Sequence, residues 1–289
     1  MPQISVIVPN FNHERFLKLR MSSILNQTCQ DFEVIILDDC STDESRNIIE
    51  EYRKHPKVTN IVYNAQNSGS TFRQWEKGIG LAKGEWLWIA ESDDYAQSDF
   101  LESLLKLTEE HDNVGIAFSN SYKIDQDQQT EELTEHMTTS FKDGIAEVKE
   151  RLCHYNTITN ASSCIIKRDV ALRACGNLHQ YKSCGDWIFY ARILQYTNLA
   201  YSPRKLNYYR WHQSSVSFSA SKTGAYVTEG VHVMGNIDYK RVKFSTREFL
   251  ALCKGWLKKI GDLGFQYRIK PTSVVGVAIF KYCAAKVYS

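Results

Sequence analysis

The sequence predicts an α/β protein built on a mainly parallel sheet. Two observations carry that expectation. Short β-branched runs alternate with helical stretches over roughly the first 118 residues, the pattern of strand–helix–strand units whose crossovers keep strands parallel. The runs are also apolar without alternation, as in ISVIV and EVIIL, which suits strands covered on both faces.

Taken in order, Ile4 to Val8 reads as a strand stopped by Pro9. After the loop Asn10-Phe11-Asn12-His13, Glu14 to Gln27 places Phe16, Leu19 and Ile24 at helical spacing. Glu33 to Leu37 is a second strand and ends in Asp38-Asp39. Ser41-Thr42-Asp43 predicts the cap of a helix running to about Lys54, with Glu44 in its first turn. Then follow a strand at Val58 to Tyr63, a helix at Phe72 to Lys83 and a strand at Glu85 to Ala90. A helix at Asp99 to His111 and a strand at Val114 to Phe118 complete the regular part. Beyond it, Lys123 to Glu150 is polar and acid-rich and reads as a loop with a short helix. Ser162 to Lys167 reads as a buried strand, Trp187 to Tyr196 as a helix, and Leu199 to Tyr209 contains a strand. Past about Ser221 the alternation is lost, and Phe249 to Gly261 and Thr272 to Val287 read as helices. There is no internal repeat and no low-complexity tract.

The 289 residues are 43% hydrophobic and 24% charged, which excludes disordered and collagen-like classes and supplies a sizeable core. The net charge of +2 offers no global nucleic-acid signature, so no nucleic acid is expected as a partner. The charge is uneven: from Lys240 onward the balance is +9, against −7 for the rest. The last apolar run, VVGVAIFKYCAAKVY, is interrupted by Lys281 and Lys286. It fits either a helix packed on the body or one lying on an anionic membrane surface. Eight cysteines without CxxC or zinc-finger spacing read as reduced, mostly buried thiols of a cytoplasmic protein. MPQISVIVP lacks the basic and apolar regions of a signal peptide, and no apolar run of about 18 residues predicts a spanning helix.

In open α/β sheets ligands bind beyond the carboxyl ends of the strands. Two acidic clusters fall there, Asp38-Asp39 after EVIIL and Glu91-Ser92-Asp93-Asp94 after EWLWIA, and they should converge on one edge. Closely spaced carboxylates can hold a divalent cation while leaving room for phosphate oxygens. Cys184-Gly185-Asp186-Trp187 opens a helix, where a carboxylate serves as a cap, as a general base, or as both. Tyr209 to Ser217 contains Arg210 and His212, and an imidazole there is a metal ligand or a phosphate partner. In Asn67 to Trp75, Arg73 meets either a phosphate or water. Each acidic cluster also has a plainer reading as a helix cap or a solvated turn. Gly78, Gly80 and Gly84 precede a strand and miss the dinucleotide spacing, and no GxxxxGK[ST] occurs, so NAD and P-loop readings drop out.

ISVIVPNFNHERFL, SSILNQT and DFEVIILDDCSTDES, taken with ESDD, CGDW and RWHQSSVS, resemble the inverting family-2 glycosyltransferases, which have the GT-A fold. The resemblance runs from Ile4 to about Ser217, roughly three quarters of the chain. It implies a nucleotide-sugar-binding half at 1–118, an acceptor-binding half at 119–220 and a basic helical tail at 221–289. It implies that Asp39 accepts a hydrogen bond from the nucleotide base, with Pro9, Asn12, Arg73, Glu91 and Ser92 as further nucleotide contacts. Asp93 and His212 would hold Mn2+ or Mg2+, and Asp186 would be the catalytic base. Glu91 stands where the family carries Asp, and Asp94 would support the loop or the site. The implied partners are a nucleoside-diphosphate sugar, most naturally UDP-linked, and a glycan or lipid-linked acceptor. The tail would add a peripheral contact with the inner face of the plasma membrane. A non-catalytic nucleotide-sugar or glycan-binding module is the competing reading. A nucleotidyltransferase would need a Gly-rich basic loop where PNFNHERF stands.

Overall fold

The computed structural model describes residues 1–125, 130–133, 140–213, 215–267 and 273–287. The first part alternates as expected: β1 (Ile4–Asn10), α1 (Glu14–Leu25), β2 (Phe32–Asp38), α2 (Ser45–Glu51), β3 (Val58–Tyr63), α3 (Thr71–Leu81) and β4 (Trp86–Ile89). It continues through β5 (Tyr95–Ala96), α4 (Phe100–Glu110), β6 (Val114–Ile124), β7 (Thr130–Leu133) and β8 (Phe141–Lys142). A short α5 (Gly144–Glu147) runs into a π turn, followed by β9 (Cys164–Lys167), α6 (Arg168–Ala174), α7 (Gly185–Leu194) and β10 (Asn198–Arg210). The remainder is helical: α8 (Val216–Thr223), α9 (Ala225–Thr228), α10 (His232–Gly235), α11 (Thr246–Tyr267) and α12 (Ser273–Val287).

The strands form one sheet in the order β3-β2-β1-β4-β9-β6-β10-β5, with β7 on β6 and β8 on β10. β3, β2, β1 and β4 are parallel, and so is the pair β6 and β10. β9 lies antiparallel between β4 and β6, and β5, β7 and β8 are antiparallel additions. The mainly parallel expectation therefore describes the first half, and the sheet as a whole is mixed. Only a covering crossover forces strands parallel, and the short later strands lack one.

Every residue of β1 and β2 is buried. Successive side chains point to opposite faces, so Val6, Val8, Val34 and Ile36 pack with Leu17, Met21 and Phe100 on one side. Ile7, Ile35 and Leu37 belong to the other core, with Trp75, Ile79, Phe189 and the tail residues Trp256 and Tyr282.

Several boundaries move. α2 starts at Ser45 because Asp43 is spent on two backbone N–H groups, those of Ser45 at 3.0 Å and Glu14 at 2.9 Å. β6 continues to Ile124 through buried Ser119, Asn120 and Ser121. Asn120 and Ser121 tolerate burial because they are paired: Asn207 Nδ2 donates to Ser121 Oγ at 3.2 Å, and Asn120 Nδ2 to the Pro203 carbonyl at 3.1 Å, whereas Ser119 Oγ has no hydrogen-bond partner among the described residues. The 123–150 stretch, expected as loop and short helix, also carries β7 and β8, while 126–129 and 134–139 lie outside the described residues. So does Thr272 of the expected last helix.

The tail packs on the body. Trp256 is 2% exposed, lies 5.8 Å from the Trp187 ring and donates its indole N–H to the Cys153 carbonyl at 2.8 Å. Phe249 of α11 stacks on Tyr282 of α12 at 3.9 Å. All eight cysteines are free thiols, but only Cys153, Cys164, Cys184 and Cys253 are buried, so burial holds for half of them. Among the described residues no helix is long and apolar enough to cross a membrane. Trp256→Ala is expected to cost about 3–5 kcal/mol, read as a lower midpoint in denaturant unfolding. A midpoint unchanged from wild type would show that the tail adds nothing to the core.

Candidate active site

The parallel ends of β1, β2 and β4 open on one side of the sheet. Facing them are the start of α3, the start of α7 and the segment after β10. Between them lies a cleft of about 580 Å³ whose lining includes Pro9, Asn12, Asp39, Glu91, Asp93 and Asp186. Six sequence-selected residues thus meet in one cavity. Three stand elsewhere. Arg73 is exposed on α3, because its neighbours Phe72 and Gln74 take the inward positions. Ser92 is fully buried beside the cleft, with its Oγ 2.8 Å from His13 Nδ1, so it orients an imidazole. His212 sits behind Asp93, its Nε2 2.9 Å from Asp93 Oδ2.

The loops after β1 and β2 are tied together. Asn12 and Cys40 both adopt left-handed backbone, at φ 55° and 66°. Asn tolerates that region better than most residues. The Asn12 N–H donates to Ser41 Oγ at 3.0 Å, and its Oδ1 accepts from the Thr42 N–H at 2.8 Å. Asp38 is a brace: it accepts from Asn10 Nδ2, the Ser41 N–H and Arg46 Nε. Asp39 is almost fully committed. Its Oδ1 accepts from Asn64 Nδ2 at 2.6 Å, the Ser68 N–H at 2.9 Å and Gln74 Nε2 at 2.9 Å, and its Oδ2 from Ser68 Oγ at 2.7 Å. A carboxylate offers about four acceptor positions, so Oδ2 is the oxygen with capacity left for a ligand.

The acidic loop after β4 divides its labour. Glu91 is pushed up to about 8, by burial first and then by the Asp93 charge. Its longer side chain reaches α3, where Trp75 Nε1 donates to Oε1 at 2.7 Å. Asp94 is raised to about 6 by burial and by Asp93, and accepts from Asn160 Nδ2 at 3.0 Å and from the Arg210 N–H at 2.9 Å. For Asp93, burial works against ionisation, but the His13 charge and the His212 hydrogen bond outweigh it and hold the carboxyl below its ordinary range. Candidate ligand atoms of His13, Asp93 and His212 all lie within 4.8 Å of one another. Two imidazoles and a carboxylate suit a borderline divalent cation. The sequence reading missed His13, although it follows Asn12 in the loop beyond β1, where an open α/β sheet places its ligands.

One further buried charge escaped the sequence reading. Arg20 of α1 is fully buried, 4.7 Å over the Trp88 ring, and none of its side-chain nitrogens has a hydrogen-bond partner among the described residues. Burial lowers it to about 10, opposed by the charges of Asp94, Asp93 and Glu91. It lies on the buried face of α1 with Leu17, Met21 and Ile24. Arg210 braces the same loop, donating Nε to the Asp93 carbonyl at 2.8 Å.

Asp186 lies in the first turn of α7 and accepts from Asn156 Nδ2 at 3.0 Å. Burial pushes its carboxyl up to about 7. A Cβ on Gly185 would come within 2.8 Å of the Phe72 ring, so glycine lets α7 begin against α3. Glu229, also unforeseen, accepts from the N–H groups of Ser183 and Cys184 at 2.8 and 3.0 Å and fixes the approach to α7.

With this geometry in place, the comparisons with known proteins agree on its class. The family described as "Glycosyl transferase family 2" matches residues 5–173, more than half of the sequence. The chain belongs to glycosyl transferase family 2. It is 32% identical over 123 residues to Glycosyltransferase GlyG of Streptococcus pneumoniae, covering 43% of this chain and 40% of that protein. It is 33% identical over 115 residues to the Staphylococcus aureus poly(ribitol-phosphate) beta-N-acetylglucosaminyltransferase TarS, covering 38% of this chain and 20% of that protein. These alignments span well under half of the relatives' length. The crystal structure of S. aureus TarS 1-349 with UDP-GlcNAc superposes with a TM-score of 0.70 at 18% identity, over 98% of this chain and 81% of the other. A mannosyltransferase of Pyrobaculum calidifontis with GDP-Man and Mn2+ gives 0.57 at 14% identity, over 99% of this chain and 83% of the other. The fold is therefore of the GT-A type.

Removing Arg20 leaves the acidic loop without its buried counter-charge. Arg20→Ala is expected to cost about 3–5 kcal/mol, measured by denaturant unfolding at neutral pH. Stability equal to wild type would mean that the loop carries no charge for Arg20 to offset.

Proposed function

We propose that this protein moves a sugar from a UDP-sugar to a hydroxyl of a glycan or lipid-linked acceptor, with inversion and with a divalent cation. The observation that carries the reading is the meeting of Asp39, Asp93 and Asp186, far apart in sequence, around one cleft. The remaining lone pair of Asp39 would accept from the base. Asp93, His212 and His13 would hold Mn2+ or Mg2+, which when bound supplies positive charge against the diphosphate oxygens. The acceptor oxygen attacks the anomeric carbon from the face opposite the diphosphate. Asp186 takes the hydroxyl proton as that bond forms and as the bond from carbon to the diphosphate oxygen breaks. A carboxyl near 7 suits this task, because it is substantially ionised at neutral pH yet basic enough to hold the proton.

The UDP assignment draws support from TarS, whose structures hold UDP and UDP-GlcNAc, and the metal from the mannosyltransferase with Mn2+. TarS is named for a poly(ribitol-phosphate) acceptor, which favours a place in cell-surface polymer synthesis for this chain too. We extend the reading to the tail. Arg247, Leu250, Lys254, Leu257 and Lys258 of α11 are all exposed and recur at helical spacing, which suits a peripheral contact with anionic lipid on the cytoplasmic face.

Asp186→Asn is expected to keep donor binding and to lose about 10²- to 10⁴-fold in kcat. The wild-type kcat/KM should rise with pH through about 7. A raised carboxyl pKa favours the folded state at low pH and loses that contribution as pH climbs from the ordinary carboxylate range to about 7. The Asn variant should therefore melt higher than wild type at pH 8. Full transfer by Asp186→Asn would refute the base assignment. Asp93→Ala should abolish the extra thermal stabilisation that Mn2+ gives with UDP. A retained Mn2+-dependent shift would place the cation elsewhere.

A further inference from the structure

On the far side of Asp186 from the nucleotide end lies a second cavity, of about 330 Å³. Tyr155 and Asn156 wall it from the segment before β9, Tyr226 from α9, and Trp256 and Lys259 from α11. It shares Thr159, Ser183, Asp186 and Ser217 with the donor cleft, so the two chambers join at the carboxylate. We propose that this chamber receives the sugar terminus of the acceptor and that the tail helix α11 is one of its walls. The proposal rests on the transferase reading above and adds the acceptor's place and chemistry.

The first argument is directional. In an inverting displacement the attacking hydroxyl comes from the side away from the diphosphate, and its proton goes to the base. A chamber that meets the donor cleft only through residues around Asp186 presents an occupant's hydroxyl to that carboxylate. In the resulting step the acceptor O–H bond breaks, the proton stays on Asp186, the oxygen bonds to the anomeric carbon, and the nucleoside diphosphate leaves with the electron pair. No other reactant is needed.

The second argument is chemical. Tyr155 and Tyr226, 47% and 52% exposed, both line the one chamber and keep part of their rings open to an occupant. Aromatic faces with nearby hydroxyls and amides match a pyranose, which shows C–H groups on its faces and hydroxyls round its edge. Asn156, Ser183, Ser217 and Ser221 supply those edge partners. The platform is held in advance. Arg151 Nε donates to the Tyr155 hydroxyl at 3.0 Å, and its guanidinium lies 5.7 Å from that ring. Lys259 donates to the His154 carbonyl at 2.6 Å and lies 4.6 Å over Trp256. A rigid aromatic floor loses little entropy when a sugar settles on it.

The test uses saturation-transfer NMR on the full chain with UDP and Mn2+, with methyl β-glycosides of glucose, galactose, N-acetylglucosamine and mannose as probes. At least one glycoside should receive saturation. Tyr155→Ala and Tyr226→Ala should each weaken its binding by about two- to tenfold. Tyr196→Ala, at a residue 54% exposed just past the other end of α7, should not change it. The UDP-induced thermal shift should be the same in all three variants. Absence of glycoside binding in a protein that binds UDP would overturn the proposal. So would glycoside binding indifferent to both tyrosines, or saturation of 1-octanol or glycerol phosphate with none of any glycoside. Glycoside binding that depends on the tyrosines in a protein blind to UDP would leave the chamber standing and bring down the donor assignment instead.

Discussion

Three carboxylates crowd the end of β4, and the architecture around them is arranged to make that crowding tolerable. Glu91, Asp93 and Asp94 occupy four consecutive positions with Ser92 between the first two. Buried acids repel one another and prefer to be neutral. The protein answers from three directions: Arg20 from α1 beneath, Arg210 from the end of β10 across, and the imidazoles of His13 and His212 at the side. Each arrives from a different element, so the loop acquires its charge pattern only when α1, β4 and β10 have assembled. Glu91 and Asp94 are pushed toward the protonated form, while Asp93 alone is held ionised. Neighbouring groups of one chemical kind thereby take different jobs, and the ionised member is the one against the histidines.

Asp186 obeys a different constraint. Among the described residues no cation pairs with it; it accepts from the Asn156 amide and from the Trp187 backbone. Burial raises its pKa instead, which makes this carboxylate more basic than an exposed one. The neighbourhood compensates by rigidity: glycine at 185 lets α7 press on Phe72, and Glu229 satisfies the backbone just upstream.

The parallel half of the fold was readable because its strands are apolar runs of a length and spacing that few other structures use, and the acids at their ends follow from topology. The later half was harder. β6 hides its second part behind Ser119, Asn120 and Ser121, and the last two are paired with groups on β10 that no local window contains. Asp39, Asp93 and Asp186 were singled out because they stand at strand ends and a helix start within segments that resemble one family. Arg73, for which both phosphate and water were open, lies on the exposed side of α3, and Ser92 faces an imidazole instead of the cleft. Arg20, His13 and Glu229 stayed hidden because each acts on residues distant in sequence, and the chain itself gives no sign of which charge will meet which.

The seating of Trp256 against Trp187 gives the tail a meaning that its composition alone does not convey. Its indole caps the Cys153 carbonyl and its ring rests on the helix that presents Asp186. A chain cut short before α11 would uncover an apolar face on α7 and leave a buried carbonyl without its donor. Truncation by nonsense mutation or protease would therefore reach Asp186 through its foundations, and the chain cannot be trimmed to its front portion without losing the shape of the rear.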